Sequence, residues 1–222
     1  GTSGGRWCSF VTVRIPLTSI PLFPLGLLPL PGERLALHIF EPRYQRLFHA
    51  LENNEVEEFG IAYHTPSNPH SFDAPIYGGI VRLVFATEPG RTGERDAVVQ
   101  CVNLFTTNEI HVAGTHDEPP YPTGNVERLQ AWKNWKVPGS AQNSIATLAE
   151  YWKSQGSKAE AEGPVGSLTE AMVRYDFNPI ERHEVLRCKS EEKRLARFVE
   201  TVQFKALIVQ QMQLKSKGQF PN

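Results

Sequence analysis

Pro21-Leu22-Phe23-Pro24-Leu25-Gly26-Leu27-Leu28-Pro29-Leu30-Pro31-Gly32-Glu33 is an apolar run broken by a proline every few residues, and it leads into Leu37-His38-Ile39-Phe40-Glu41-Pro42-Arg43-Tyr44. Each proline removes an amide donor and clashes with the preceding turn, so no long helix survives that spacing. The run must be extended strand and turn. Ile20, Leu22 and the Leu-Pro pairs suit an edge or irregular strand, where proline is tolerated. A helix then starts at Pro42, a first-turn position that proline favours. Tyr44, Leu47, Phe48 and Leu51 recur at i, i+3, i+4 and i+7 and form its apolar face, with Arg43 and Arg46 pointing away. The helix is expected to end near Asn53-Asn54.

Downstream the pattern stays β-rich. Phe59 to Tyr63 is a short strand, and Thr65 to Ala74 a polar loop with turn residues. Ile76 to Phe85 is a longer strand in which Gly78-Gly79 signals a bulge or a close backbone approach. Pro89 to Gly93 is a turn, and Ala97 to Phe105 and Ile110 to Ala113 are expected to complete an antiparallel meander. Short strands separated by turns suggest a small barrel or sandwich.

Pro119-Pro120, Pro122 and Gly124 break structure, and the region from 119 to 139 is the expected boundary. Beyond it the periodicity is helical. Ile145, Leu148, Ala149 and Trp152 make one stripe, and Leu168 to Tyr175 and Pro179 to Arg187 are short helices, with Asn178 an N-cap before Pro179. A last helix is expected from Ser190 to Lys215, with Glu191 and Glu192 suiting its dipole and Leu195, Phe198, Val199, Val202 and Ala206 on its buried face. The organisation read from this is a flexible leader over 1–14, a β-barrel lobe over 15–118, and a linker and helical lobe over 119–222.

At 222 residues the chain can bury a sizeable core. Its formal charge of −1, with both signs interspersed, leaves no electrostatic footprint for a polyanion. Cys8, Cys101 and Cys188 are sparse and odd in number, which reads as free thiols in a reducing cytosol rather than a disulfide framework. The uncharged run from Ile15 to Pro31 holds Pro16, Pro21, Pro24, Pro29 and Pro31, against both a signal peptide and a membrane span. The chain is expected to be cytoplasmic, with no membrane partner.

No reaction chemistry stands out. His64 with His70, and His111 with His116-Asp117, lack the spacing of a metal site, so neither metal nor cofactor is expected. There is no Gly-x-Ser-x-Gly elbow, and Ser167 after Gly166 reads as an N-cap. Cys188 with His183 reads as an idle thiol in a helix–helix turn. Glu41 and Arg43 read as a pair that orients the helix start. Trp132, Trp135 and Trp152 are placed to glue two subdomains or to line a groove between them. No catalytic residue is assigned.

The ordered blocks resemble the amino-terminal, substrate-binding domain of the Lon protease family. They are Pro21 to Leu25, Leu30-Pro31-Gly32, and His38 to Tyr44 with its Glu41-Pro42-Arg43-Tyr44 motif. Phe59-Gly60, Gly79-Ile80-Val81, Asn178 to Arg182 and Glu191 to Leu195 follow. The stretch Cys101 to Phe105 departs from the family's Gly-x-x-Arg-Phe pattern, and the turn around Pro89 to Arg95 is long. The chain contains no Gly-x-x-x-x-Gly-Lys-Ser/Thr phosphate loop, so the resemblance is to a stand-alone form, or a fragment, without the ATPase and peptidase modules.

The resemblance implies an α+β fold: a small β-barrel lobe related to the pseudouridine-synthase-and-archaeosine-transglycosylase (PUA-like) fold, followed by an α-helical lobe. It implies a non-catalytic protein that recognises unfolded or damaged polypeptide, with a protease or chaperone ATPase as a further partner in ATP-dependent proteolysis. An exposed apolar patch and a free strand edge would serve that purpose. Leu25, Leu27 and Leu28, with Trp132 and Trp135, are the candidate binding residues. The alternative is an RNA-binding PUA-like module, which the neutral charge disfavours.

Overall fold

A computed structural model describes residues 18–64, 74–112, 119–156 and 164–216. The expected leader, Cys8, His70, Ala113 and the His116-Asp117 pair lie outside the described residues. Among the described residues six strands and five α-helices follow in order: β1 (Thr18–Leu25), β2 (Arg34–Ile39), α1 (Pro42–Glu52), β3 (Phe59–Tyr63), β4 (Ile76–Ala86), β5 (Arg95–Thr107), β6 (Thr123–Arg128), α2 (Gln142–Ser154), α3 (Leu168–Arg174), α4 (Pro179–Leu186) and α5 (Glu191–Ser216). The fold is α+β.

The sheet runs β2-β5-β4-β3-β1-β6, and β5 pairs with β6 as well, so five strands close into a ring with β2 added outside it on β5. The proline-punctuated opening is β1, inside that ring. Its first half, Thr18 to Pro21, pairs antiparallel with β6, and its second half, Leu22 to Leu25, pairs parallel with β3. Each half has one strand partner among the described residues, so Pro21 and Pro24 each sit where one side of the strand has no strand partner. That is how prolines expected at an edge sit inside a closed sheet. The parallel pairing replaces the expected all-antiparallel meander. It needs a crossover, and β2 with α1 supplies it.

Leu22, Ile80, Phe105 and Val126 fill the ring, each worth about 1.5–3 kcal/mol when buried. Two glycines make room for them. A Cβ on Gly78 would lie 2.3 Å from the Ile61 carbonyl oxygen and 2.5 Å from the Phe105 ring, and one on Gly124 would lie 2.5 Å from Leu22 Cδ1. The Gly78-Gly79 signal is thus close approach, while the register shift falls two residues on, between Ile80 and Val81. At one face of the barrel α1 lays Tyr44, Leu47, Phe48 and Leu51 onto Phe23, Phe59 and Ile61. Phe23 and Tyr44 stack at 3.8 Å. The helix stops where Asn54 takes the left-handed conformation, φ 59°.

Three expectations change. The sheet does not end at 118: β6 comes from the stretch read as a linker, because Gly124 and Val126 alternate inward and Thr123, Asn125 and Glu127 outward. Of the expected strand from Ile110 to Ala113, the described residues 110–112 form none; His111 makes a single bridge to Thr123. β5 begins at Arg95, two residues before its expected start, and pairs with β2, β4 and β6.

The helices behave as read. Ser167 and Asn178 cap α3 and α4, and Asn178 forms a full capping box with Glu181. α5 buries Phe198, Val202, Ala206 and Val209 against α2 and α4. The same cluster takes in Leu28, Leu30, Tyr63 and Leu104 from the barrel side, so one apolar core runs from sheet to helices.

Candidate functional site

The structure separates the five candidate binding residues. Leu25, at the end of β1, is half-buried against the α1-side core. Leu27 is 38 % exposed, but Leu28 is 1 % and Trp135 6 %. Both belong to the shared core beneath the helices. Leu28 is therefore not an exposed anchor: the chain turns it inward, because Pro29 and Leu30 must follow the barrel wall. Trp135 is capped by the Arg194 guanidinium, 4.2 Å from its ring centroid, and its carbonyl accepts the Leu168 amide. Trp132 is half-buried and donates its indole N–H to Asn103 Oδ1 at 2.7 Å. Trp152 is half-buried and packs on the same cluster. These tryptophans join sheet and helices rather than line an open groove.

The helix-start motif is structural too. Arg43 Nε donates to Glu41 at 2.9 Å and its guanidinium lies over the Tyr44 ring. Pro42 takes the first helical position. Burial pushes the Tyr44 hydroxyl up to about 12, which keeps it protonated.

Among the described residues, the cysteines and His183 stand in structural contacts. Burial pushes the Cys101 thiol up to about 12, leaving it un-ionised and inert. Cys188 directs its thiol to the Glu184 carbonyl at 3.3 Å. The His183 ring packs against Tyr63 and Tyr77, with centroids 5.1 and 5.8 Å away. Burial, then the Arg187 charge, lowers its pKa. Among the described residues no group of three His, Cys, Asp or Glu side chains has the arrangement of a metal site.

A different surface has the attributes of a binding site. The β4 half that pairs with β3 ends at Val81. From Arg82 to Ala86 its strand partner among the described residues is β5 alone, which leaves about 16 Å of backbone edge without a strand partner there. Beside that edge, between it and the end of α1, runs a groove of about 570 Å³ lined by Leu51, Val56, Leu83, Val84, Phe85 and Ala86, with Glu57 and Arg82 at its rim. Val84 and Phe85 are 46 % and 59 % exposed. The register shift between Leu83 and Phe85 turns two consecutive apolar side chains outward. A strict alternation would have put one of them inside. Arg82 reaches the Glu58 carboxylate, which also holds Arg128.

Neither Val84 nor Phe85 was singled out by sequence reasoning. A signal existed. Ile80 to Ala86 is apolar at every position but Arg82, more than a half-buried strand can hide.

No helix among the described residues is long and apolar enough to cross a membrane. A five-stranded closed ring with an extra strand, an α1 crossover and a helical lobe sharing its core defines a class of architecture, and that class is the fold of Lon amino-terminal domains. The chain superposes on the crystal structure of a Lon N-terminal domain protein from Xanthomonas campestris with a TM-score of 0.60 at 19 % identity, over 83 % of this chain and 98 % of that one. It superposes on the N terminal domain of Mycobacterium avium complex Lon protease with a TM-score of 0.56 at 12 % identity, again over 83 % and 98 %. No family profile and no curated protein sequence matches the chain.

Proposed function

We propose that the protein is a non-catalytic binding module that captures unfolded polypeptide in extended form, as an accessory to ATP-dependent proteolysis in the cytoplasm. One observation carries the reading: the β4 edge from Arg82 to Ala86, with no second strand partner among the described residues, lies in a groove beside exposed Val84 and Phe85. An extended chain added to that edge gains main-chain hydrogen bonds that read no side-chain sequence, and its alternate side chains meet apolar walls. Such a patch with a polar rim suits ligands that expose apolar segments only when unfolded. The shared fold with Lon amino-terminal domains supports a place near a protease or chaperone ATPase. Nucleic acid is disfavoured because the formal charge is −1 with both signs interspersed, and Arg82 and Arg128 on the barrel share the Glu58 carboxylate.

The test is binding of the purified chain to a labelled, reduced and carboxymethylated protein, with the same protein folded as control. The unfolded form is expected to bind preferentially, and Phe85→Asp to weaken it about tenfold or more, the loss of one buried aromatic contact. Equal binding of folded and unfolded forms removes the reading.

A further inference from the structure

Helix α1 has a cleft on each flank. The second, of about 640 Å³, opens between the helix, the β4–β5 connection at Pro89 and Gly93, and Pro120-Tyr121 ahead of β6. It lies apart from the groove along β4, and the Arg95–Glu52 ion pair sits between the two, since Arg95 lines one and Glu52 the other.

Arg95 sets the chemistry of this cleft. It occupies an inward position on β5, and its side chain is 5 % exposed. One terminal nitrogen is engaged by Glu52, but Nε is buried with no hydrogen-bond partner. A buried donor left unmet is costly and is rarely retained. At a cleft wall it points to an acceptor supplied from outside. Arg46, exposed on the adjoining face of α1, adds a second guanidinium with no ion pair among the described residues. Burial, with Glu55 adding to it, raises the Tyr121 pKa, so the phenol stays a donor. Gln45 is already committed, its amide nitrogen donating to the Phe40 and Thr92 carbonyls at 3.0 and 3.2 Å, and it holds the mouth in shape. The described lining also carries one carboxylate, Glu55, near Tyr121.

We propose that this cleft binds the C-terminal end of a polypeptide through its free carboxylate. The Arg46 fork, the unmet Nε side of Arg95 and a phenol match a carboxylate, which accepts bidentately from arginine. A chain terminus also brings a peptide N–H beside its carboxylate, and Glu55 is the acceptor for it. An acidic side chain lacks that paired donor in fixed geometry. The volume suits a few residues rather than a bare ion. The proposal rests on the polypeptide-binding reading for the class of ligand, but it uses a separate site.

The experiment follows fluorescence anisotropy of three labelled, otherwise neutral octapeptides: a free acid, the same peptide as C-terminal amide, and that amide with one internal glutamate. Each is titrated with the wild-type chain, with Arg46→Gln and with Phe85→Asp. The free acid is expected to bind about tenfold tighter than the amide, the difference a charge-assisted pair supplies. Arg46→Gln should erase that preference and Phe85→Asp should leave it. Arg46 is exposed, and an unchanged circular dichroism melt of R46Q verifies that its fold is intact. Equal binding of acid and amide, no binding of any peptide, or a preference that survives R46Q overturns the proposal. The glutamate amide binding as tightly as the free acid overturns the terminal assignment. Loss of unfolded-protein binding in Phe85→Asp with the acid preference intact separates the two sites.

Discussion

Arg182 grips Glu33 with two parallel hydrogen bonds, Nη1 to Oε2 at 2.7 Å and Nη2 to Oε1 at 2.9 Å, across the junction of helices and barrel. The same guanidinium donates to the Leu28 carbonyl at 3.0 Å and the Phe177 carbonyl at 2.6 Å, while Glu33 accepts the Leu30 amide at 2.7 Å. Both side chains are largely buried, 12 % and 17 % exposed. The pair thus ties the Leu-Pro-Gly turn to α4, and the opening of the chain to its closing helices.

Removing one member strands the other. Arg182→Met is expected to cost about 3 kcal/mol by leaving a mostly buried carboxylate unpaired. The double variant Glu33→Gln/Arg182→Met should lose less than Arg182→Met alone, because the neutral amide keeps the Leu30 contact without a charge. Urea unfolding midpoints check both, and a double variant weaker than the single one refutes the pairing argument.

The inward turn at Leu28 separates it from its neighbour. Leu28→Ala should cost about 2–5 kcal/mol, as buried leucines do. Leu27→Ala should stay within about 0.5 kcal/mol, as exposed sites do. Comparable losses at the two positions in thermal unfolding contradict the assignment of Leu28 to the core.

Barrel closure depends on backbone contact at Gly78. Gly78→Ala places a methyl group against the Ile61 carbonyl and the Phe105 ring, and backbone there cannot give way cheaply. A loss of about 3 kcal/mol or more is expected, with little soluble protein recovered. An alanine variant that melts like the wild type shows that the strands can part.

Acid should loosen the junction through His183. Burial lowers its pKa in the folded state below the ordinary value of 6.5, so the folded protein favours the neutral ring. Its contribution is complete above pH 6.5. It declines as the pH falls from there through the folded value, because the unfolded chain takes up the proton first. His183→Phe should flatten the stability profile in that window. A slope unchanged by the substitution assigns the acid sensitivity to other groups.

Trp132→Phe removes the indole donor to Asn103 but leaves Asn103 Oδ1 its bond from the Leu104 amide at 2.9 Å. The expected cost is about 1 kcal/mol, the net worth of one hydrogen bond. It is read from the denaturant midpoint.

The local rules were legible where they were strong. Pro42 at a helix start, the Tyr44-Leu47-Phe48-Leu51 stripe and the Asn178 cap are short-range signals, and each appears in the fold. Partnership was not legible. Nothing in Pro21 or Pro24 says that β1 changes neighbour between them, because pairing is settled by residues about forty positions away in β3 and about a hundred away in β6. β6 was hidden because Pro122 and Gly124 read as breaks, although the glycine serves Leu22 rather than a turn. The candidate surface moved for a related reason. Leucine density suggested exposure at Leu28, but exposure depends on which face the wall turns outward, and a bulge in β4 decided that for Val84 and Phe85.

The ring has a consequence for biogenesis. Its last stave, β6, is made of residues 123–128 and must meet both β1 at 18–21 and β5 at 105–106. A nascent chain stopped before residue 123 therefore holds four staves with two raw flanks. Long-separated contacts of this kind form slowly, so the interval between synthesis of β5 and arrival of β6 is when the protein most needs a chaperone of its own.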